Sequence, residues 1–376
     1  LKKADPLDVP HCDDLAQENI EWIGEEIAEK FTSAAADCSK LNNSSAKKDL
    51  SVVYTPLFGS GRDFVLDALE KDGFSQVHLV KKQAGFDGKF PGLRKPNPEE
   101  PEVFRIAERE ALREHADLMI ATDPDSDRIG AGVICDSKAF FFTGNQIGAL
   151  LADFLSRQGS VKGKIMVTTV VTGDLGSRIV TSRGATVIHT LTGSKFVCEE
   201  MNHMEAGEFL LGYEESHGYI GGMHIRDKDG VLAAMLLCET AAWHKTQGKT
   251  LLDALEDLYQ EYGYYIDEQD SFVFEGAKGA KEMQKIMARL RSRRGSVFAP
   301  LGKPDKMLDY EKGVDELPRS NVLKFFFPNG SWVAVRPSGT EPKIKFYYCI
   351  RGKDQRQAQD LYEAVQTSVE EFLRTF

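Results

Sequence analysis

Three short apolar-rich runs, SVVYT, QVHLV and ADLMIAT, alternate with segments of helical spacing, RDFVLDALEKDG and PEVFRIAEREALREH. Strands that are apolar on both faces are stable only in a sheet covered on both sides, which predicts a parallel sheet with helices packed above and below. The pattern repeats after the helical segment NQIGALLADFLSRQG. The strand KIMVTTVV, a helix over 174–183, the strand ATVIHTL, a helix from 194 and the strand FLLGY follow in turn, and the block closes with helices over 230–247 and 251–262. The last hundred residues differ. VLKFFFPNGSWVAV and KIKFYYCI are rich in aromatic and β-branched residues, and Asn329-Gly330 is a hairpin signal. They lie between the helical segment KEMQKIMARLRSR and a final helix with Leu361, Val365, Val369 and Phe372 on one face. The predicted class is therefore α/β: two successive mixed or parallel α/β sandwich domains, over 1–160 and 161–268, then a smaller α+β domain with an antiparallel sheet over 269–376. Ahead of them, Ile20, Ile23, Ile27 and Phe31 suggest a helix over 13–31, with TSAAADCSKLNNSSAKKD as a loose connection.

Of the 376 residues 41% are hydrophobic, enough for a sizeable core, and the formal net charge is −11. That balance argues against nucleic acid or an anionic membrane as partner, since both need a basic face. It leaves room for a small anion held by a few local cations. The six cysteines are scattered, with no CxxC pair, and several lie in apolar runs, which points to buried free thiols in a reducing compartment. No run is long and apolar enough to span a bilayer, and LKKADPLDVP has neither an apolar signal core nor an initiator Met. The expectation is a cytoplasmic chain that is a processed or excised piece.

In parallel α/β sheets ligands bind beyond the carboxyl ends of the strands. There the chain reads ATDPDSDRIG, with Asp123, Asp125 and Asp127 at alternate positions. Three crowded carboxylates repel unless a cation neutralises them, and hard oxygen ligands suit Mg²⁺, Mn²⁺ or Ca²⁺. An EF-hand is excluded because Arg128 and Ile134 stand where its Gly and Glu would be. The alternative is a solvated acidic turn. After FLLGY come Glu214, Glu215, Ser216 and His217, acceptors suited to a polyol, or else an ordinary turn with a helix cap. The loop HIRDKDG offers Arg226 and Lys228 for an anion or for proton transfer. In VRPSGTEPKIKF, Arg336, Ser338, Thr340 and Lys343 surround Gly339; an Arg fork, hydroxyls and backbone N–H groups can wrap a phosphate, although a β-turn with chance polar residues has the same look. LTGSKF puts Ser194 and Lys195 at a helix start, as an anion site or a plain cap.

Taken in order, DPDSDR, GYEES and RPSGTEP resemble the metal, sugar-recognition and phosphate loops of the α-D-phosphohexomutase family, and YTPLFGSG, FPGLRKPNPE and TGNQIGALL resemble its connecting segments. The resemblance covers most of the chain. It implies one Mg²⁺ held by Asp123, Asp125 and Asp127 beside Arg128, and sugar hydroxyls met by Glu214 and Ser216. It also implies a distal phosphate gripped by Arg336, Ser338, Gly339 and Thr340, with Lys228 near the reacting groups. Ser194 and Lys195 fall in a further family loop. The implied activity interconverts hexose 1-phosphate and hexose 6-phosphate, with glucose phosphate favoured, through a hexose 1,6-bisphosphate.

The family's phosphoserine motif, of the TASHNP type, has no counterpart here. The chain resembles family domains two to four, with the serine-bearing first domain as a missing partner, and is expected to bind sugar phosphate without turning it over. Two rivals remain: a non-catalytic phosphosugar-binding module, and a metal-dependent sugar phosphatase with Asp123 as nucleophile.

Overall fold

The computed structural model describes residues 21–376 apart from Ala206, Glu275 and 339–341, with the backbone alone at Ala277. Among the described residues the chain builds three sheets.

Two helices lead in, α1 (Glu25–Ala36) and α2 (Ser44–Asp49). The helix expected over 13–31 thus begins later than its spacing suggested, because Gly24 forms its N-terminal boundary. Trp22 and Ile23 ahead of it and Ile27 within it are exposed. The alanines of TSAAA extend it into the stretch read as loose, since alanine is the best helix former, and Asn43 caps α2 by accepting from the Ala46 N–H. Residues 13–20 of the expected helix lie outside the described residues.

The first sheet combines β1 (Ser51–Thr55), β2 (Gln76–Leu79), β3 (Leu118–Thr122), β4 (Ile129–Cys135) and β5 (Lys138–Phe142), with α3 (Gly61–Lys71) and α4 (Arg105–Glu114) as crossovers. Its order is β2-β1-β3-β4-β5; the first three strands are parallel and the last two antiparallel. The hairpin β4–β5 had no clear signal in the sequence, because Asp136 and Ser137, not glycines, adopt the left-handed turn.

The second unit comprises α5 (Gly144–Arg157), β6 (Ile165–Thr169), α6 (Asp174–Ser182), β7 (Thr186–Thr190), α7 (Ser194–Met201), β8 (Phe209–Tyr213), β9 (Tyr219–Ile220), α8 (Gly230–Lys245) and α9 (Leu251–Tyr262). The strand order is β7-β6-β8-β9, parallel except at β9. Helix α5 packs on α6, α8, α9 and β8 of this unit. Helix α8 is buried at every position from Gly230 to Ala242. It is apolar all round because it runs between the first two sheets, touching α3, α2 and β3 on one side and α5 and β9 on the other. Its one buried acid, Glu239, is paired with Lys47 and accepts from the Lys40 and Leu41 N–H groups.

The third sheet follows at once, with β10 (Tyr264–Val273), α10 (Gly276–Arg293), β11 (Lys306–Asp309), β12 (Leu323–Phe326), β13 (Trp332–Pro337), β14 (Lys343–Gly352) and α11 (Gln355–Leu373). It is antiparallel throughout, in the order β10-β14-β13-β12-β11. A boundary at 268 would cut β10. The period-two alternation splits this sheet cleanly. Phe325, Val335, Phe346 and Ile350 pack with Ile286 and Leu290 of α10 and Val365 and Val369 of α11. The opposite face contributes Trp332, Ala334, Tyr347 and Cys349 to the core shared with the first two units. No helix among the described residues is long and apolar enough to cross a membrane.

Candidate functional site

The acidic loop leaves the carboxyl end of β3 and turns back into β4 within six residues. Ser126 takes a left-handed backbone to make the turn, its N–H donating to Asp123 O at 3.0 Å. Asp123 is buried, Asp127 half-buried and Asp125 exposed. One carboxylate oxygen from each lies within 4.8 Å of the others, so one cation can be reached by all three.

The side chains present fit a hard cation. Asp127 Oδ1 is buried without a hydrogen-bond partner. Burial pushes the Asp123 carboxyl up to about 7; the Arg128 N–H, 3.0 Å from its Oδ1, opposes that shift, and the charges of Asp127 and Asp125 add to it. A divalent ion would relieve the repulsion. Meanwhile two side-chain cations do part of that work. Arg128 Nε lies 3.5 Å from both Asp123 and Asp127, its Nη1 is 3.0 Å from Glu99, and Lys228 Nζ is 2.5 Å from Asp127 Oδ2.

The second loop is bonded to the first. The Ile129 N–H donates to His217 O, His217 Nδ1 meets Ile129 O at 2.9 Å, and Arg128 bridges Gly218. His217, left-handed like Ser126, is a buried structural clasp. Glu214 is also buried, its Oε1 accepting from the Gly193 N–H at 2.7 Å, which sets the GSK turn beside the GYEES loop. Burial raises the Glu214 carboxyl; the Gly193 N–H and then the charges of Lys228, Arg128 and Arg336 pull it back. Three cations from three separate loops therefore act on one carboxylate.

Helix α8 closes the floor. Asp229 caps it by accepting from the Val231 and Leu232 N–H groups, and the Gly230 N–H donates to Ser126 O at 2.9 Å. A Cβ on Gly230 would lie 2.6 Å from that oxygen, so only glycine permits the approach.

The loop expected to wrap a phosphate is the β13–β14 turn. Arg336 stands opposite Lys345, and the Ser338 N–H donates to Lys343 O at 2.8 Å. Gly339 and Thr340 lie outside the described residues. A cavity of 410 Å³ spans the three units, lined by Glu99, Arg128, Glu215, Ser216, Lys345 and Tyr347 among others. Glu215 is pushed up to about 7 by burial and by Glu214, with the Thr172 hydroxyl 3.2 Å from its Oε2. Lys345 is pulled down by burial and by Lys343. Two expected residues are held by other partners: Arg226 bonds Asn202 Oδ1 and Met223 O, and Lys195 lies 4.7 Å from the Phe196 ring centroid. Ser194 is the first residue of α7, half-buried.

Sequence reasoning passed over Glu99 and Lys345. The alternation in KIKFY would have found Lys345, which shares a strand face with Lys343 and Tyr347. Glu99 sits on an irregular loop with no such signal.

The models of three successive domains match the chain: phosphoglucomutase/phosphomannomutase alpha/beta/alpha domain II over 29–135, alpha/beta/alpha domain III over 143–262 and the C-terminal domain over 273–367. A phosphoglucomutase of Staphylococcus haemolyticus is 35% identical over 94% of this chain and 67% of its own length. The chain belongs to the phosphoglucomutase/phosphomannomutase family. A Staphylococcus epidermidis phosphoglucomutase is 33% identical over 92% of the chain and 65% of the relative, so the chain spans about two thirds of the length of the curated relatives it matches. The open form of the Paramecium phosphoprotein parafusin has the same fold, with a TM-score of 0.69 at 21% identity over 91% of this chain and 61% of that one. The three matched models follow the order of the three sheets.

Proposed function

We propose that these residues form the metal, sugar and distal-phosphate sites of a phosphohexomutase acting on glucose phosphate through a hexose 1,6-bisphosphate. One observation carries the reading: a single cavity is lined by Arg128 of the acidic loop, Glu215 and Ser216 of the GYEES loop and Lys345 of the strand after the RPSGTEP loop. Glu214 and Ser216 would accept hydrogen bonds from sugar hydroxyls. Arg336, Ser338, Gly339, Thr340 and Lys343 would hold the phosphate that is not being transferred, with Ser194, Lys195 and Arg226 as outer contacts. Arg128 and Lys228 would hold positive charge at the end of the cleft where phosphoryl transfer occurs. A Mg²⁺ on Asp123, Asp125 and Asp127 would neutralise charge on the transferred group. We place the donor phosphoserine on a domain outside these 376 residues, and the three units at 21–142, 143–263 and 264–376.

The test is conversion of glucose 1-phosphate to glucose 6-phosphate with Mg²⁺ and glucose 1,6-bisphosphate. The chain alone is expected to bind the bisphosphate without turnover. Turnover well above background contradicts the external serine, and failure to bind contradicts the mutase reading itself.

A further inference from the structure

One cluster of nucleophilic and titratable side chains lies outside the cleft. Cys38 follows the C-terminal end of α1, and its Sγ lies 3.9 Å from His224 Nδ1, the long end of a sulfur contact. The other ring nitrogen, Nε2, is 3.0 Å from Asp229 Oδ2. Thiol, imidazole and carboxylate are thus joined through the two nitrogens of one ring, the order in which a base activates a sulfur nucleophile and is itself oriented by a third group. The contact depends on Gly222, where a Cβ would lie 2.8 Å from both Cys38 Sγ and His224 Nδ1.

The surroundings favour charge on the ring. The titratable groups facing His224 are Asp229, from the cap of α8, and the Cys38 thiol; Phe31 of α1 packs beside it, with ring centroids 6.1 Å apart. The hydrogen bond to Asp229, then that to Cys38, raises the imidazole to about 9. At neutral pH it is a cation next to sulfur. The Cys38 thiol donates to Ala34 O at 3.4 Å.

Cys38 is half-buried and forms part of the wall of a separate cavity of 320 Å³. Gly222 and Met223 line it next to the sulfur, and Lys40 and Lys164 bring positive charge. Small walls and two lysines suit a compact anion-bearing partner.

We propose that Cys38 is a modification site whose sulfur, assisted by His224 and Asp229, takes up one half of an anionic low-molecular-weight disulfide. The Cys38 sulfur forms a new S–S bond, the S–S bond of the small disulfide breaks, and its other half leaves as a thiolate. That thiolate gains the proton that Cys38 gives up through His224 Nδ1. The protein thiol is oxidised and the small disulfide reduced, so no further oxidant is required. Its partner His224 lies on the loop that carries Lys228, and Asp229 also caps α8 beneath the acidic loop.

The test incubates the whole chain with oxidised glutathione from pH 6.5 to 8 and follows each cysteine peptide by mass spectrometry, with exposed Cys135 as internal reference. Cys38 is expected to react at least tenfold faster than Cys135 at pH 6.5. His224→Gln should lower the Cys38 rate at least tenfold and leave Cys135 unchanged. A Cys38 rate no higher than that of Cys135, or one indifferent to His224→Gln, overturns the proposal. Should the variant fail to fold, the wild-type comparison decides alone: a Cys38 rate at pH 6.5 no higher than that of Cys135 overturns it. The ratio of the two rates should fall with the neutral 2-hydroxyethyl disulfide; an equal ratio overturns the preference for an anion.

Discussion

Glu214 and His244 show how differently burial acts on single residues here. Glu214 is buried yet compensated by a backbone N–H and three cations, the arrangement of a side chain kept ready to accept hydrogen bonds. Glu214→Gln should lower the affinity for glucose 1,6-bisphosphate about tenfold by calorimetry, the scale of one charge-assisted hydrogen bond, while leaving Mg²⁺ affinity within twofold. His244 lacks hydrogen-bond compensation: it is buried on α8 and neither ring nitrogen has a hydrogen-bond partner. Burial lowers its pKa from 6.5 to about 4. Between those values the unfolded chain binds the extra proton and the folded chain does not, so stability falls as pH falls through that window. At 1.36 kcal/mol per pH unit the loss is roughly 3 kcal/mol. His244→Leu should therefore flatten the acid limb of stability between pH 6.5 and 4, measured by urea denaturation; an unchanged limb contradicts the assignment.

Among the elements, α8 carries the most consequence, because its first residue touches the acidic loop and its body separates the first two sheets. Gly230→Ala would force a methyl group against Ser126 O. The expected cost is about 1–3 kcal/mol of stability with at least a tenfold weaker Mg²⁺ affinity by calorimetry, whereas unchanged metal binding would show that the loop is not set by this helix. The helix was visible in the sequence as GVLAAMLLCETAAW, and so were the strands before each charged loop, since runs apolar on both faces have few other solutions. What the sequence hid has physical causes. The β4–β5 hairpin turns on two non-glycine residues in left-handed geometry. The placing of α5 with the second sheet depends on tertiary contact alone, because its own pattern is compatible with either neighbour. Asp123, Asp125 and Asp127 could be read as a set from their spacing, but their pairing with Lys228 and with Glu99 through Arg128 joins segments up to a hundred residues apart.

Across the whole molecule, the cleft depends on how the third sheet sits against the second unit. Lys324, buried in β12, donates to Val170 O at 2.8 Å and lies 3.7 Å from the Trp332 ring centroid. Burial lowers its pKa, and the charges of Asp174, Cys349 and Asp267 oppose the shift. Lys324→Met would leave Val170 O without its donor and those acids without their cation. The expected cost is about 1–3 kcal/mol, with weaker bisphosphate affinity and unaltered Mg²⁺ affinity, because the metal ligands belong to the first sheet. Equal losses of both would mean a general loss of structure. The central claim is that loops from three sheets form one site for a cation and a bisphosphorylated sugar. Isothermal titration of the 376-residue chain with glucose 1,6-bisphosphate, with and without Mg²⁺, tests it most directly, using wild type, Asp127→Asn and Arg336→Ala. The account predicts one bisphosphate per chain, bound more tightly with Mg²⁺. Asp127→Asn should abolish the Mg²⁺ enhancement, and Arg336→Ala should lower affinity at least tenfold at every Mg²⁺ concentration. Absence of binding, or binding indifferent to both substitutions, would contradict it.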